Sequence, residues 1–110
     1  MAADYEVFDR VAERLRQRNQ YRPADSYSTQ MFTTGLAEIC GKIREEAEEL
    51  ASAAEQLPGN QDQVLHEAAD LMFHMLMLLE ARGASLGQVA DMLCRREGIS
   101  GLEEKRTRGE

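Results

Sequence analysis

From Val64 to Arg82 the apolar residues do not keep to one side of the chain. With successive residues about 100° apart on a helix, Ala68, Met72, Met75, Leu76 and Leu79 cover one side while Leu71, Met77 and Leu78 cover much of the other. A helix that is apolar on both sides has to be covered on both. The chain has 110 residues, one domain's worth and too few for two independent cores. The second cover is therefore expected from another copy. The pattern predicts a single domain over residues 1–110 that completes its bundle by homodimerising.

The other segments are helical as well. Over residues 4–19, Val7, Phe8, Val11 and Leu15 fall on one face, and Pro23 lies just beyond the expected end. Ser28 can accept from free backbone donors and open a short turn through Phe32, interrupted at Gly35. From Leu36 to about Gln56, Ile39, Ile43, Ala47, Leu50 and Ala54 keep a helical period until Pro58-Gly59-Asn60 breaks it. Asn60 with Gln63 and Ser85 with Gln88 have capping-box spacing, opening the helix that Gly83 ends and a last one that fades near Glu97. No strand alternation or internal repeat occurs, so the fold class is all-α, a helical bundle with short connections. Residues 98–110 form a polar tail.

Charge and composition exclude several roles. The formal net charge is −7, whereas phosphate-backbone binding draws on Lys and Arg, so no nucleic-acid partner is expected. The start is acidic where a signal peptide is basic, and the apolar run Leu71 to Leu79 is far short of the roughly 20 residues that cross a bilayer. The expectation is a cytoplasmic protein with no membrane partner. Cys40 and Cys94 lack paired spacing and are expected as small buried thiols.

Glu45, Glu46, Glu48 and Glu49 taken alone describe a solvated helix face. Spacing separates them, because Glu46 and Glu49 lie side by side with Lys42 on one stripe, Glu45 sits at its edge, and Glu48 points nearly the opposite way. Glu67 and Asp70 repeat the three-residue spacing and run straight into Leu71-Met72-Phe73-His74. A carboxylate on the buried stripe of a core helix is costly unless charge or metal pairs with it. The short connection from Gln56 to Gln61 makes an antiparallel hairpin that brings Glu46, Glu49, Glu67 and Asp70 around one point. Hard, anionic oxygen ligands suit Mg²⁺ or Mn²⁺. His74, four residues past Asp70, is a ligand, a proton carrier, an orienting donor or simply a buried hydrogen-bonding histidine. His66 beside the stripe is expected exposed.

Lys42-Ile43-Arg44-Glu45-Glu46-Ala47-Glu48-Glu49 followed by Glu67-Ala68-Ala69-Asp70-Leu71-Met72-Phe73-His74 resembles the phosphoribosyl-ATP pyrophosphohydrolase family of histidine biosynthesis. Those two helices alone match the wider MazG-like all-α pyrophosphatases. The narrower match adds Ser26-Tyr27-Ser28, Ala81-Arg82-Gly83-Ala84-Ser85-Leu86 and Ser100-Gly101-Leu102-Glu103-Glu104-Lys105, and covers nearly the whole chain. The resemblance implies a MazG-like bundle and Mg²⁺-dependent hydrolysis of the α–β phosphoanhydride of phosphoribosyl-ATP to phosphoribosyl-AMP and pyrophosphate. It implies that Glu46, Glu49, Glu67 and Asp70 hold the metal, with Glu45 and Glu46 as the catalytic pair, Glu45 assisting the metal or orienting water. Ser28, Lys42, His74 and Lys105 are then the candidate contacts to the nucleotide. With no fused cyclohydrolase portion in these 110 residues, the stand-alone form is expected. Arg44 stands where the family usually carries glycine, Glu48 where it carries an aliphatic residue, and Thr34 and Glu38 where lysines are common.

Three other readings compete. A MazG-like house-cleaning pyrophosphatase for free (d)NTPs uses the same acids, and the tail and Ser26-Tyr27-Ser28 argue against it. A carboxylate-bridged di-iron bundle wants Glu-x-x-His on two helices, whereas Glu67 is followed by Asp70 at that spacing. A non-catalytic helical module would leave the acids on the surface, which Leu71 beside Asp70 opposes.

Overall fold

A computed structural model describes residues 2–98 and Arg106. Helix α1 (Val7–Tyr21) places Phe8, Val11, Ala12 and Leu15 against the core. It is shifted toward the C-terminus from the expected 4–19. The Arg22 N–H bonds the Arg18 carbonyl at 2.9 Å while Arg22 takes left-handed backbone at φ 48°, which turns the chain out of the helix before Pro23.

Helix α2 (Tyr27–Thr34) opens at Ser26, not at Ser28 as expected. Ser26 has extended backbone, and its Oγ accepts from the Thr29 N–H at 3.2 Å, while Ser28 lies within the first turn and is buried. Two serines two residues apart both look like caps in sequence, and only the first has the backbone for it. Gly35, at φ 113°, separates α2 from α3 (Leu36–Glu55), a conformation that glycine adopts without a Cβ penalty.

Helix α4 (Gln61–Ala81) starts three residues before the expected Val64. Asn60 caps it by accepting from the Gln63 N–H at 3.2 Å. The expected capping box there stays half made, because the Gln63 side chain turns forward to Glu67. At α5 (Leu86–Arg96) the Ser85–Gln88 box closes in both directions. Helices α3 and α4 pack along their lengths. Glu46 meets His74 and Glu49 meets Glu67, so the paired positions run in opposite directions and the hairpin is antiparallel, as expected. Helix α1 packs on α4, and α2 packs on α1 and α3. Leu15, Met31, Phe32, Ile39, Leu76 and Met77 fill the core between them. The described residues contain no strand, and the fold is all-α.

One side of α4 stays open. Leu76 and Met77 are buried, whereas Leu65, Met72 and Met75 are 58%, 45% and 47% exposed. Met72 and Met75 thus stand outside the core that Leu76 enters, although the helical wheel groups all three. Helix α5 has no buried residue, and its Val89, Met92 and Leu93 are exposed. Cys94, expected buried, is exposed because it sits on this helix, and Cys40 is half-buried. No helix among the described residues is long and apolar enough to cross a membrane.

Candidate active site

The acids meet along the α3–α4 seam. Helix α3 turns Glu46 inward between Ile39 and Ala53, its own buried positions, so that the residue is only 4% exposed. Helix α4 brings His74 to it, with Nδ1 2.7 Å from Glu46 Oε1 and 3.0 Å from the Asp70 carbonyl oxygen. The ring N–H has bonding geometry toward the carbonyl, Glu46 Oε1 lies beside that same nitrogen, and Glu46 Oε2 is buried without a hydrogen-bond partner. His74 is itself buried and has its Nε2 2.8 Å from the Tyr27 hydroxyl. It therefore occupies the buried, hydrogen-bonding role left open for it.

The second pair lies toward the closed end of the hairpin. Glu67 is buried, and its Oε1 accepts from Gln63 Nε2 at 2.6 Å. Its Oε2 is buried and has no partner while the neighbouring Glu49 is ionised. It gains one only when Glu49 carries a proton, since two carboxylates are both acceptors. Glu49 and Glu67 open onto a cavity of about 440 Å³ that Gln56, Asn60 and Gln63 also line. Glu48, expected on the far side, borders this cavity too, where its Oε1 accepts from Ser52 at 3.3 Å.

The remaining candidates are placed as follows. Asp70 is half-buried, with Oδ2 3.3 Å from Nε2 of the exposed His66. Glu45 is exposed at the stripe's edge, and Lys42 Nζ lies 3.8 Å from its Oε1. Ser28 is buried in α2. Lys105 and the tail motif lie outside the described residues. The four carboxyls are not gathered on one point: among the described residues no three His, Cys, Asp or Glu side chains stand together at metal-ligating spacing. The physical reason is repulsion, about 1 to 4 kcal/mol for each pair of charges at 4 Å. Three of the acids take other partners, Glu46 beside His74, Glu67 with Gln63 and Asp70 with His66, while Glu49 lies against Glu67.

The residues fit a divalent cation in one respect that matters. Two buried carboxylate oxygens, Oε2 of Glu46 and Oε2 of Glu67, have no hydrogen-bond donor, and such atoms need a proton or a cation. A model of the family described as phosphoribosyl-ATP pyrophosphohydrolase matches residues 8–97. This chain belongs to that family. It is 44% identical over 104 residues to a phosphoribosyl-ATP pyrophosphatase of Erythrobacter litoralis, covering 94% of this chain and 98% of that protein. A protein of the same name from Rhodopirellula baltica is 45% identical over 101 residues, covering 91% and 84%. Another, from Methylococcus capsulatus, is 42% identical over 103 residues, covering 94% and 96%. Membership in a pyrophosphohydrolase family makes the chain an enzyme, a hydrolase of the pyrophosphate bond.

In this pyrophosphohydrolase two of the acids hold protons more tightly than usual. Burial raises Glu46, against the opposing pull of His74, and the hydrogen bond to Glu67 raises Glu49, with burial and the Glu67 charge adding to it. The folded state then binds protons more tightly than the unfolded chain. Stability from these two groups is fully present below the ordinary glutamate value of about 4.3 and is lost as pH rises through their raised values. Chemical denaturation in EDTA should show the wild type gaining on the Glu46→Gln/Glu49→Gln variant between pH 7 and pH 5. Identical pH dependence of the two proteins would contradict this.

Gln63 and Tyr27 were not among the residues that sequence spacing offered for the site. The i,i+4 step from Gln63 to Glu67 was a usable signal, overshadowed by the capping pattern. Tyr27 meets His74 across 47 positions, a contact that no local pattern announces.

Proposed function

We propose that this enzyme hydrolyses the α–β phosphoanhydride of phosphoribosyl-ATP to phosphoribosyl-AMP and pyrophosphate, as a Mg²⁺-dependent step of L-histidine biosynthesis in the cytoplasm. The observation that carries the reading is the set of buried, donor-less carboxylate oxygens on Glu46 and Glu67 in a chain of this family. Glu46, Glu49, Glu67 and Asp70 would hold the metal, Mg²⁺ or equally Mn²⁺. A divalent cation bound there supplies neutralisation of the transferring phosphoryl charge and a water of lowered pKa.

The chain's own groups set up the rest. An acidic protein repels a polyanion, so the carboxyls must be charge-compensated before the nucleotide enters. Glu45 is exposed beside the stripe, and its carboxylate would orient a water or accept its proton. Lys42, half-buried and next to Glu45, supplies a cation toward phosphate. Its pKa is raised, first by Glu45, which keeps it charged. Ser28 and Lys105 remain candidate phosphate contacts. The open apolar side of α4 with α5 supports a homodimer.

Incubation with Mg²⁺ and, separately, phosphoribosyl-ATP, dUTP, dCTP and ATP, with pyrophosphate release as readout, tests the substrate. Preference for phosphoribosyl-ATP is expected. Faster release from the free nucleotides would favour the house-cleaning activity instead.

A further inference from the structure

Tyr27, His74, Asp70 and Glu46 come from three helices and form one chain of contacts whose chemistry fixes the proton on the imidazole. The Asp70 carbonyl can only accept, so the ring nitrogen with bonding geometry toward it, Nδ1, must carry the hydrogen. In the neutral ring Nε2 is then the acceptor, and the Tyr27 hydroxyl, 2.8 Å away, donates to it. The ring is further held edge-on against Phe73, with centroids 5.2 Å apart and planes at 89°, and against Tyr27 at 5.8 Å and 85°. Nothing is left for the ring to rotate toward. Its Nδ1 edge stands 2.7 Å from Glu46 Oε1, and both atoms are nearly sealed from water.

We propose that Tyr27 and His74 are positioning residues: they lock an Nδ1–H imidazole that fixes the Glu46 carboxyl and the Asp70 backbone for cation binding. The role rests on the functional reading above, because it assigns what Glu46 is held ready for. Neither residue needs to touch the nucleotide. Tyr27 ties α2 to the site and, through the ring, registers α3 against α4 at the level of the acids. Groups that orient metal ligands in this way typically carry 10- to 100-fold in metal affinity or activity.

The test has one readout that is independent of turnover. The chain has two histidines, so ¹⁵N NMR of the labelled full-length protein gives two imidazoles, and the one missing in His74→Asn is His74. In its neutral form the ring should carry its hydrogen on Nδ1 and none on Nε2, the reverse of the tautomer favoured in free imidazole side chains. The second readout is the Mg²⁺ concentration at half-maximal thermal shift, without nucleotide. Tyr27→Phe and His74→Gln, whose amide reaches the Nε2 position, should weaken it about 10- to 100-fold. His74→Asn, whose amide nitrogen can stand at Nδ1, should recover most of that loss. A merely structural role would lower melting temperatures and leave these midpoints alone. A neutral ring carrying its hydrogen on Nε2, or unchanged midpoints in both Tyr27→Phe and His74→Gln, overturns the positioning role alone. A wild type with no Mg²⁺ response overturns the functional reading and the positioning role with it.

Discussion

Glu67→Gln is expected to raise the melting temperature of the metal-free protein, flatten its response to Mg²⁺ and lower turnover by about 10²–10³-fold, the cost of losing one group that stabilises transition-state charge. The substitution is isosteric, and its carbonyl can still accept from Gln63. What changes is charge. One anion leaves a seam where Glu49 faces Glu67 and Glu46 is buried nearby. Relief of about 1 kcal/mol of repulsion corresponds to a rise of roughly 4 °C or more for a domain of this size. In the wild type, Mg²⁺ at 100 times its dissociation constant adds about 2.7 kcal/mol, or roughly 10 °C. The variant should show only a small part of that gain. Glu48 borders the same cavity and makes a poor control, whereas Glu55 is exposed at the end of α3, and Glu55→Gln should leave both readouts as they are. Equal effects at 55 and 67 would mean that the acids are only a solvated face.

The second large effect concerns assembly. Light scattering at micromolar concentration is expected to give a dimer, and Met72→Asp/Met75→Asp to give a monomer or an unfolded chain. The two methionines are about half exposed within one chain, on the same side of α4 as Leu65. If water covered them, charged replacements would change stability by no more than about 0.5 kcal/mol. If a second copy covers them, each buried carboxylate has no partner and association fails. The open surface of α5 extends the same argument, since an amphipathic helix with no buried residue gains nothing from its apolar face until something packs on it. A well-folded wild-type monomer would contradict the expectation, because its Leu and Met faces would stay in water at about 25 cal/mol per Å².

Much of this was legible before any coordinates, for identifiable reasons. The long helices announce themselves by period, and Gly35, Gly83 and the Pro58 region by what they interrupt. Element starts were less legible where the first turn is polar, as at Gln61-Asp62-Gln63, which carries no periodicity. The same limit misplaced the α2 cap, because Ser26 and Ser28 differ only in backbone angles that neighbours impose. Helix α4 was read as apolar on two sides, with its acids between them. Its wheel did not say which side faces the core, since that depends on where α1 sits. The acid stripe on each helix followed from three-residue spacing. How the acids sort across the seam did not, because mutual repulsion and distant partners such as Tyr27 decide it.

The central claim is that these acids serve cleavage between the α and β phosphorus of a nucleotide. Phosphorus NMR of phosphoribosyl-ATP turning over with the wild-type enzyme and Mg²⁺ reads this directly. Pyrophosphate and phosphoribosyl-AMP should appear together in equal amounts, with no orthophosphate and no diphosphate nucleotide at any time. Orthophosphate and a diphosphate nucleotide appearing first would place the reaction at the terminal phosphoryl group and contradict the account.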